Sequence, residues 1–348
     1  MKPMRHDFGP LKISFVDPCS AGGYDLCGLD IGGLGGTEAS ILRVASGLRQ
    51  QFDVTHYQNG RSTPQLSSVG NLLPLDPRDL GSDHDIIVVI NRWKVALTLR
   101  KRYPETPIFL WLHVYPGRHN HKMGAALKAA DITVICVSQT HAVRFSAFLG
   151  TLDTPRVRVI YNPLDDDLCP DDTPRVRDRL LFASSPHKGL GEVFAQFAAL
   201  RQHIPDLNLA VADPGYLRWE TGPVPDGVDF LGSLSHDALV QQMRHALCLF
   251  YPQTTFAETF GLVLAEANAV GTPALVHAGL GANAEIAAGG DQQVDGHDPA
   301  QILARVQAWR VAPPRVSANP DFRLSRVAEV WAQLFQRAAA DRSHISMV

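Results

Sequence analysis

Short apolar runs rich in β-branched residues alternate along the chain with longer amphipathic stretches, and this pattern predicts repeated βαβ units built on parallel sheets. In the first half, strands are predicted at 11–16, 54–57, 86–90, 108–113, 132–137 and 157–160, and helices at 37–51, 93–102, 123–130 and 140–149. In the second half, strands are predicted at 180–183, 207–211, 228–231, 247–251 and 274–276, and helices at 192–203, 235–245, 261–270, 299–310 and 323–340.

The segment 162–177 interrupts this pattern with three prolines and five aspartates. It separates two sets of βα units of similar size. The sequence therefore predicts an α/β protein with two doubly wound domains, 1–162 and 163–322, that face each other across a cleft. Ligands of such sheets bind beyond the carboxyl ends of the strands, so the loops at those ends are the candidate sites of chemistry.

With 348 residues, 45% hydrophobic and 19% charged, the chain has the composition of a globular protein of about two domains. A net charge of −3 argues against a protein built mainly to bind nucleic acid. The five cysteines form no C-x-x-C pair, and the apolar runs are only strand-length. These features predict a cytoplasmic protein whose contact with a membrane is at most peripheral.

Charge is distributed unevenly between the two halves. Residues 1–160 hold 18 Lys and Arg against 13 Asp and Glu, whereas residues 161–348 hold 14 against 22. Much of the positive excess lies between Arg92 and Lys122. Two interpretations stay open: a solvated helix face, or a surface that meets an anionic acceptor or an acidic membrane.

The loop after the first predicted strand, IGGLGGTE at 31–38, is rich in glycine. Glycines allow close backbone approach, Thr37 can cap the following helix, and a helix N-terminus can hold an anion. The pattern is not a dinucleotide fingerprint, because Glu38 stands where the third glycine would be, and no Gly-Lys-Ser/Thr follows to make a P-loop. The loop therefore predicts either an anion site or a structural turn.

The sequence TFAETFGLVLAEA places two glutamates eight residues apart after a predicted strand. Glu258 lies in the loop before a helix that starts near Gly261, and Glu266 lies on that helix. Carboxylates accept paired hydrogen bonds from vicinal hydroxyls, and the amides of Phe260, Gly261 and Leu262 can hold a phosphate. The apolar run LVLA leaves little solvated face, which favours a binding role over an exposed, purely structural one.

Two further loops follow predicted strands. In SSPHKG, Lys188 precedes a helix and can reach a phosphate in the cleft as a point charge. In LHVYPG, a strand ends at His113 and the chain then breaks. A lone lysine or histidine is usually structural, but a strand-end loop facing a cleft favours a role in binding or catalysis.

Together these loops resemble glycosyltransferase family 4, the retaining nucleotide-sugar transferases of GT-B fold. Glu258 and Glu266 match that family's E-x7-E motif within ETFGLVLAEANAVGTP, and GGTE at 35–38 resembles its N-terminal glycine loop. Three further pieces follow in the family's order: VIYNPLD, DFLG and the run from Gly279 to Glu285. The resemblance covers nearly the whole chain, and the order and spacing of the pieces make it specific.

The resemblance implies a role for each matching residue. Glu266 would hold the ribose hydroxyls of the donor, Glu258 would contact hydroxyls of the transferred sugar, and His113 would lie against that sugar. The groups implied to hold the diphosphate are Lys188, the loop residues Gly35 and Gly36, and the amides of Phe260, Gly261 and Leu262. His113, Glu258 and Lys188 are thus the expected catalytic residues, and the terminal segment 323–348 would pack back on the first domain.

One position departs from the family pattern. The family usually has an arginine five residues before the lysine, and here that residue is Ala183. A second cationic contact with the diphosphate is then missing or supplied from elsewhere, with Arg118 as a candidate. Ser184 is a further candidate contact for phosphate or acceptor.

Cations and oriented amides can stabilise a leaving nucleoside diphosphate without a metal, so neither a metal nor another cofactor is expected. Asp83 with Asp85 and the acidic run 165–167 are interpreted as surface acids, and His119 with His121 is a weak pair that lacks further ligands.

The predicted function is retaining transfer of a hexosyl group from a nucleotide diphosphate sugar, with UDP or GDP favoured over ADP, to a glycan, lipid-linked or small-molecule acceptor. The excess of arginine over lysine and the high alanine content are typical of a GC-rich bacterial genome and favour cell-envelope glycans such as lipopolysaccharide or exopolysaccharide. A sugar-nucleotide epimerase, a phosphorylase and a catalytically degenerate binding module stay open. A dehydrogenase is disfavoured by the broken glycine pattern.

Overall fold

The computed structural model describes residues 9–28, 34–76, 78–150, 154–215 and 219–345. Two sheets organise the chain, and we call the parts around them the first lobe and the second lobe. The first sheet has the strand order β3-β4-β2-β1-β5-β6-β7-β8, and all neighbours are parallel except β3 and β4. Its strands are β1 Lys12–Asp17, β2 Asp53–Gln58, β3 Gln65–Ser67, β4 Gly70–Pro74, β5 Ile86–Ile90, β6 Ile108–Leu112, β7 Thr133–Cys136 and β8 Val157–Val159.

The second sheet is parallel throughout, in the order β11-β10-β9-β12-β13-β14. This is the 3-2-1-4-5-6 arrangement of a doubly wound fold, with its switch point between β9 and β12. Its strands are β9 Val176–Ala183, β10 Asn208–Ala212, β11 Val228–Gly232, β12 Ala246–Tyr251, β13 Ala274–His277 and β14 Gln293–Val294.

Helices connect the strands and cover both faces of each sheet. Because both faces are covered, central strands such as β5 (IIVVI) and β6 (IFLWL) are buried at every residue. The first-lobe helices are α1 Gly36–Leu48, α2 Trp93–Arg102, α3 Met123–Ala129 and α4 Gln139–Leu149. The later helices are α5 Leu190–Arg201, α6 His236–His245, α7 Leu262–Ala269, α8 Asn283–Ile286, α9 Pro299–Val311 and α10 Leu324–Ile345.

The predicted α/β class with two doubly wound sheets is confirmed, and every predicted strand and helix is present with ends shifted by a few residues. The sequence did not predict β3, β4, β14 or the one-turn helix α8. The first two lie at a sheet edge in a stretch broken by Pro64 and Gly70. Short edge strands form because a neighbour offers backbone partners, and their own residues carry little signal.

The last helix, α10, packs on the first lobe. Trp331 and Phe335 are fully buried there, with the ring of Trp331 4.9 Å from that of Trp111 and the ring of Phe335 5.9 Å from that of Phe52. These aromatic side chains give α10 a large apolar contact, so it is part of the first lobe's core.

The chain crosses between the lobes twice, and the two crossing segments lie side by side. The N–H of Leu164 donates to the carbonyl of Phe322 at 2.7 Å, and the N–H of Leu324 donates to the carbonyl of Leu164 at 2.8 Å. The domain limits at 162 and 322 stay a prediction, and both positions lie within two residues of this bridge. No helix in the described ranges is both long enough and apolar enough to cross a membrane.

Candidate functional site

A cleft of about 1000 Å³ lies between the lobes. It is lined by the loops that follow β1, β6, β9, β10, β11 and β12, so it lies at the carboxyl ends of both sheets, where doubly wound folds bind ligands. The cleft brings together almost all the site residues predicted from the sequence: Gly35, Gly36, His113, Ser184, Lys188, Glu258, Phe260, Gly261, Leu262 and Glu266.

Arg118 is the exception. It lies on a 3₁₀ turn, Arg118–Asn120, is exposed, and is not among the residues that line the cleft. Ala183, at the end of β9, does line the cleft and offers no charge there. The second cationic diphosphate contact is therefore not supplied by either position in this structure.

The starts of α1 and α7 face each other across the cleft. A Cβ built on Gly36 would lie 3.1 Å from Cδ1 of Leu262, so the two helix ends are in contact. Because the first N–H groups of a helix have no partner within it, this arrangement brings two sets of backbone donors to one place.

The N-terminus of α7 is open toward the cleft. Its N-cap is Gly261, with φ +92°, and it has no acidic residue in its first turn. In the described ranges the N–H groups of Phe260, Gly261 and Leu262 donate to no protein acceptor. The α7 start can therefore hold an anion, as the sequence predicts.

The N-terminus of α1 is different, because Glu38 folds back over it. The carboxylate of Glu38 lies against Gly35, the N-cap, and close to the Glu38 N–H. Burial raises the pKa of Glu38, its own N–H lowers it and nearby Asp17 raises it further. The expected cap, Thr37, lies inside the helix, which begins one residue earlier, and residues 31–33 of the glycine loop lie outside the described ranges.

Lys188 and Glu258 form an ion pair in the cleft. The ammonium of Lys188 donates to Oε1 and Oε2 of Glu258 at 2.9 and 3.3 Å, and lies 4.8 Å from the ring centre of Phe256. Tyr251 donates its hydroxyl to Oε1 of the same carboxylate at 3.1 Å. Glu258 is 7% exposed, so its orientation is set by these two donors.

Glu266 lies in a buried polar cluster that joins the two lobes. Its Oε1 is 3.0 Å from Nε2 of His236 and 3.5 Å from Nη1 of Arg43, which reaches it from α1. Arg43 is also bidentate on Asp165, with Nε 3.2 Å from Oδ1 and Nη2 2.9 Å from Oδ2. Asp165 is thus an ion-pair partner, a correction to its interpretation as a plain surface acid.

The basic groups of this cluster stabilise the Glu266 carboxylate, although Arg43 and His236 repel each other. Burial alone would raise the pKa of Glu266, but the hydrogen bond from His236 and the nearby Arg43 hold that pKa below its usual value. Burial alone would lower the pKa of His236, but Glu266 raises it. Glu266 is therefore a carboxylate with defined partners, although its side chain also lines the cleft.

His113 is a neutral imidazole on the first-lobe wall. Burial, reinforced by nearby His141, lowers its pKa to about 3. The backbone N–H of His113 donates to Oδ1 of Asn91 at 2.7 Å, and Asn91 has the uncommon φ of +55°. Nε2 of His113 is buried without a hydrogen-bond partner in the described ranges, and other atoms of this residue line the cleft.

The loops of the two lobes are joined beside this histidine. Ser138 donates its hydroxyl to the carbonyl of Thr259 at 2.6 Å, and Thr259 donates to the carbonyl of His113 at 2.8 Å. The carboxylate of Glu285 accepts from the N–H groups of Gln139 and Thr140 at 2.8 Å each, which caps α4 from the other lobe. These contacts hold the Glu258 loop against the first lobe.

In the described ranges one group of three side chains has metal-ligand spacing: His277, Asp295 and His297 have ligand atoms within 4.8 Å of one another. This group does not line the cleft. Nδ1 of His277 already accepts from the N–H of Gly296 at 2.9 Å. Asp83 is paired with Lys12 on the surface.

Sequence reasoning missed Arg43, His236 and Tyr251, the partners that orient the two glutamates. Arg43 carried a signal, because it is the one charged residue in ILRVA, a run that is wholly buried in α1. A charge within a buried helical stretch requires a partner. His236 and Tyr251 carried no such signal, since their partners lie far apart or across a loop.

Comparison with solved structures defines the class of fold. AviGT4, a glycosyltransferase involved in avilamycin A biosynthesis, is 19% identical and superimposes with a TM-score of 0.62 over 95% of this chain and 98% of its own. HepE of Anabaena, solved with UDP and glucose, is 16% identical with a TM-score of 0.60 over 97% and 100%. A glycosyltransferase of Rickettsia africae is 11% identical with a TM-score of 0.67 over 95% and 99%.

The chain therefore has the predicted GT-B fold, with two Rossmann-like domains facing across a cleft. Residues 182–310, most of the second lobe, match the sequence family described as Glycosyl transferases group 1. The protein thus carries a glycosyltransferase domain. No curated protein sequence matches the chain.

Proposed function

We propose that this protein is a retaining glycosyltransferase that moves a hexosyl group from a nucleotide diphosphate sugar to an acceptor hydroxyl. One observation carries the proposal: Lys188, Glu258, Glu266 and the open start of α7 share one wall of a single cleft. Together they offer a cation, two oriented carboxylates and free backbone donors. These groups complement a diphosphate flanked by two polyhydroxylated rings.

The donor is placed along the second-lobe wall. Its diphosphate lies between Lys188 and the amides at the start of α7, and its ribose lies against Glu266. The nucleobase then extends past His236 toward Leu234 and Leu239, which give that end of the cleft its apolar surface. UDP is the favoured nucleotide because HepE, which shares the fold, was solved with UDP and glucose.

The chemistry follows from charge development. When the glycosidic bond to the diphosphate breaks, negative charge builds on the leaving phosphate, and fixed donors near it lower the barrier. Lys188 lies within reach of both that phosphate and Glu258, so it can follow the charge without leaving the carboxylate. Glu258 and neutral His113 face the transferred sugar, one as acceptor and one as an unsatisfied ring nitrogen.

The acceptor approaches from the first lobe, and its hydroxyl reaches the sugar on the face from which the diphosphate leaves, which retains configuration. The cell-envelope glycan product and the contact with anionic membrane belong to this proposal as well. In the positive region from Arg92 to Lys122, Arg100 donates to the carbonyls of Ala130, Pro104 and Thr106 and is thereby structural. Co-sedimentation with anionic and neutral liposomes tests the membrane contact.

The donor is tested by thermal shift and calorimetry with UDP-, GDP- and ADP-sugars, because ligand binding stabilises the folded state. We expect one nucleotide series to bind, Glu266→Ala to weaken that binding, and Glu258→Ala to lower turnover more than affinity. The anomeric configuration of the product, read by NMR, tests retention. Unchanged donor affinity in a folded Glu266→Ala protein would count against the proposal.

A reaction with donor alone separates the remaining activities. A transferase hydrolyses the donor slowly, an epimerase converts it to another sugar nucleotide, and a binding module leaves it intact. Adding inorganic phosphate and a glycan tests phosphorolysis in the same assay. Repeating the transfer reaction with EDTA tests the proposed independence of metal.

A further inference from the structure

Arg43 makes a set of contacts that the donor-binding residues alone do not explain. It lies on α1 of the first lobe, yet its side chain is only 4% exposed and points into a cluster of second-lobe and linker groups. Its Nη2 is 2.9 Å from Oδ2 of Asp165 and 3.0 Å from Nε2 of His236, and its Nη1 is 3.5 Å from Oε1 of Glu266.

The cluster restrains the Glu266 carboxylate on one side. Both His236 and Arg43 approach the same oxygen, Oε1, and no hydrogen bond within the described ranges occupies Oε2. Glu266 is 5% exposed but lines the cleft, so its second oxygen is the one available to a ligand. A carboxylate fixed at one oxygen presents the other in a defined direction.

Asp165 fixes Arg43 in turn. The guanidinium is bidentate on this carboxylate, which lies in the linker close to the bridge between Leu164 and Phe322. Bidentate pairing holds the plane of a guanidinium as well as its position. The chain of contacts therefore runs from the linker, through a first-lobe helix, to a second-lobe carboxylate.

We propose that Arg43 is a positioning residue for the donor's ribose: it holds Glu266 so that the free carboxylate oxygen meets the ribose hydroxyls, and the first lobe thereby contributes to nucleotide recognition in the second. This inference rests on the proposed function, because it takes the ligand at Glu266 to be a ribonucleotide. It adds to that function a residue from the opposite lobe that does not itself need to touch the nucleotide.

The test compares nucleotides that differ only at the ribose. Calorimetry measures binding of UDP and of 2′,3′-dideoxy-UDP (or the matching pair of whichever nucleotide the native protein binds best) to the native protein, Arg43→Ala, Arg43→Lys and Arg49→Ala. Arg49 is the matched control, an arginine at the end of the same helix; in the described ranges its ion-pair partner is half-buried Asp53, and it does not line the cleft.

We expect the native protein and Arg49→Ala to prefer the ribonucleotide at least tenfold. In Arg43→Ala that preference should fall below about threefold, as in Glu266→Ala, with the dideoxy nucleotide nearly unaffected, because only the ribose contact is lost. Arg43→Lys should lie between, since lysine keeps the charge but not the bidentate geometry. A purely structural role for Arg43 would weaken both nucleotides equally.

Removing Arg43 leaves half-buried Asp165 without its cation and leaves buried Glu266 with His236 alone, so Arg43→Met combined with Asp165→Asn provides a second, more conservative variant. Circular dichroism and thermal melting establish that each variant is folded. The same loss of ribose preference in this double variant supports the proposal. A folded variant of either kind that keeps the native preference overturns it.

The outcome also distinguishes this inference from the proposed function. A native protein that binds no nucleoside diphosphate overturns both. A native protein that binds nucleotide and shows the ribose preference, with an unchanged preference in the Arg43 variants, overturns the role of Arg43 alone and leaves the transferase in place.

Discussion

The two walls of the cleft share one feature, a glycine immediately before a helix start, but only one of the two helix starts is open. Each has a glycine before a helix start, Gly35 before α1 and Gly261 before α7, and the two starts touch. On the second wall the helix start is open and lies near the Lys188–Glu258 pair. On the first wall Glu38 covers its own helix start, and the histidine there is neutral.

This difference indicates which part of the ligand each wall suits. A helix N-terminus attracts an anion only while no carboxylate of the protein occupies it. The second wall therefore suits the charged diphosphate, and the first wall suits a neutral hydroxyl. The diphosphate role that the family resemblance implies for Gly35 and Gly36 stays a prediction. In this structure the Glu38 carboxylate competes with a diphosphate for that helix start.

The largest effect on this comparison is expected from Lys188→Ala. Removing the cation nearest the leaving phosphate should lower kcat about 100-fold or more, since one preorganised donor contributes on that scale. Steady-state kinetics of donor hydrolysis and transfer measure the change. Arg158→Ala, at an exposed arginine of the first lobe outside both the cleft and the region from Arg92 to Lys122, is the control and should be silent. Equal effects of the two substitutions would contradict the charge asymmetry of the walls.

The next largest effect concerns the two glycines. Gly261→Ala places a Cβ at φ +92° and 2.9 Å from Leu264, so we expect about 1–2 kcal/mol of lost stability and about tenfold weaker nucleotide binding. Gly36→Ala meets only the flexible Leu262 side chain at 3.1 Å and should change binding less than threefold. Denaturant melts measure the stability of both variants, and calorimetry measures their nucleotide affinity. A larger loss of affinity in Gly36→Ala than in Gly261→Ala would assign the diphosphate to the first wall instead of the second.

A third prediction concerns acid. Burial lowers the pKa of His56 and His141 to about 4 and, with His141, that of His113 to about 3. Between these values and the unfolded pKa near 6.5, the unfolded chain binds protons that the folded chain does not. The contribution of these three histidines to stability is therefore complete above pH 6.5 and is lost as the pH falls below it, by up to about 1.4 kcal/mol per pH unit for each histidine.

Urea melts at pH 7, 6, 5 and 4 measure this slope. His56→Gln should make it shallower, because one of the buried histidines with a lowered pKa is gone. His245→Gln, an exposed histidine at the end of α6, should leave it unchanged. A slope that His56→Gln does not alter would place the acid sensitivity elsewhere.

The smallest effect is expected at Glu38. Glu38→Gln removes the charge that covers the α1 start; because burial and Asp17 disfavour that charge while the helix start favours it, the free energy of unfolding should change by less than about 0.5 kcal/mol. Nucleotide affinity should change less than twofold, because the diphosphate lies at α7. A tenfold gain in nucleotide affinity would show that both helix starts bind the diphosphate and that Glu38 limits one of them.

The succession of strands and helices along the chain and the loops that form the candidate site were largely predictable from the sequence. Parallel strands in alternation with helices place their loops at one edge, so the motifs around Lys188, Glu258 and Glu266 could be assigned to one cleft before any coordinates. Periodicity and motif spacing are local properties, and they survive folding because burial of the apolar runs dictates them.

Only the tertiary structure decided which charges meet. The partners of Glu266 come from α1 and α6, and Arg43 lies more than 200 residues away from it along the chain. Long-range ion pairs are set by how the lobes pack and by the need to compensate buried charge. Neither is determined by the spacing of residues along the sequence. The same holds for Glu38: its sequence position permits it to leave its helix start open or to cover it, and in the structure its carboxylate lies against Gly35 and covers it.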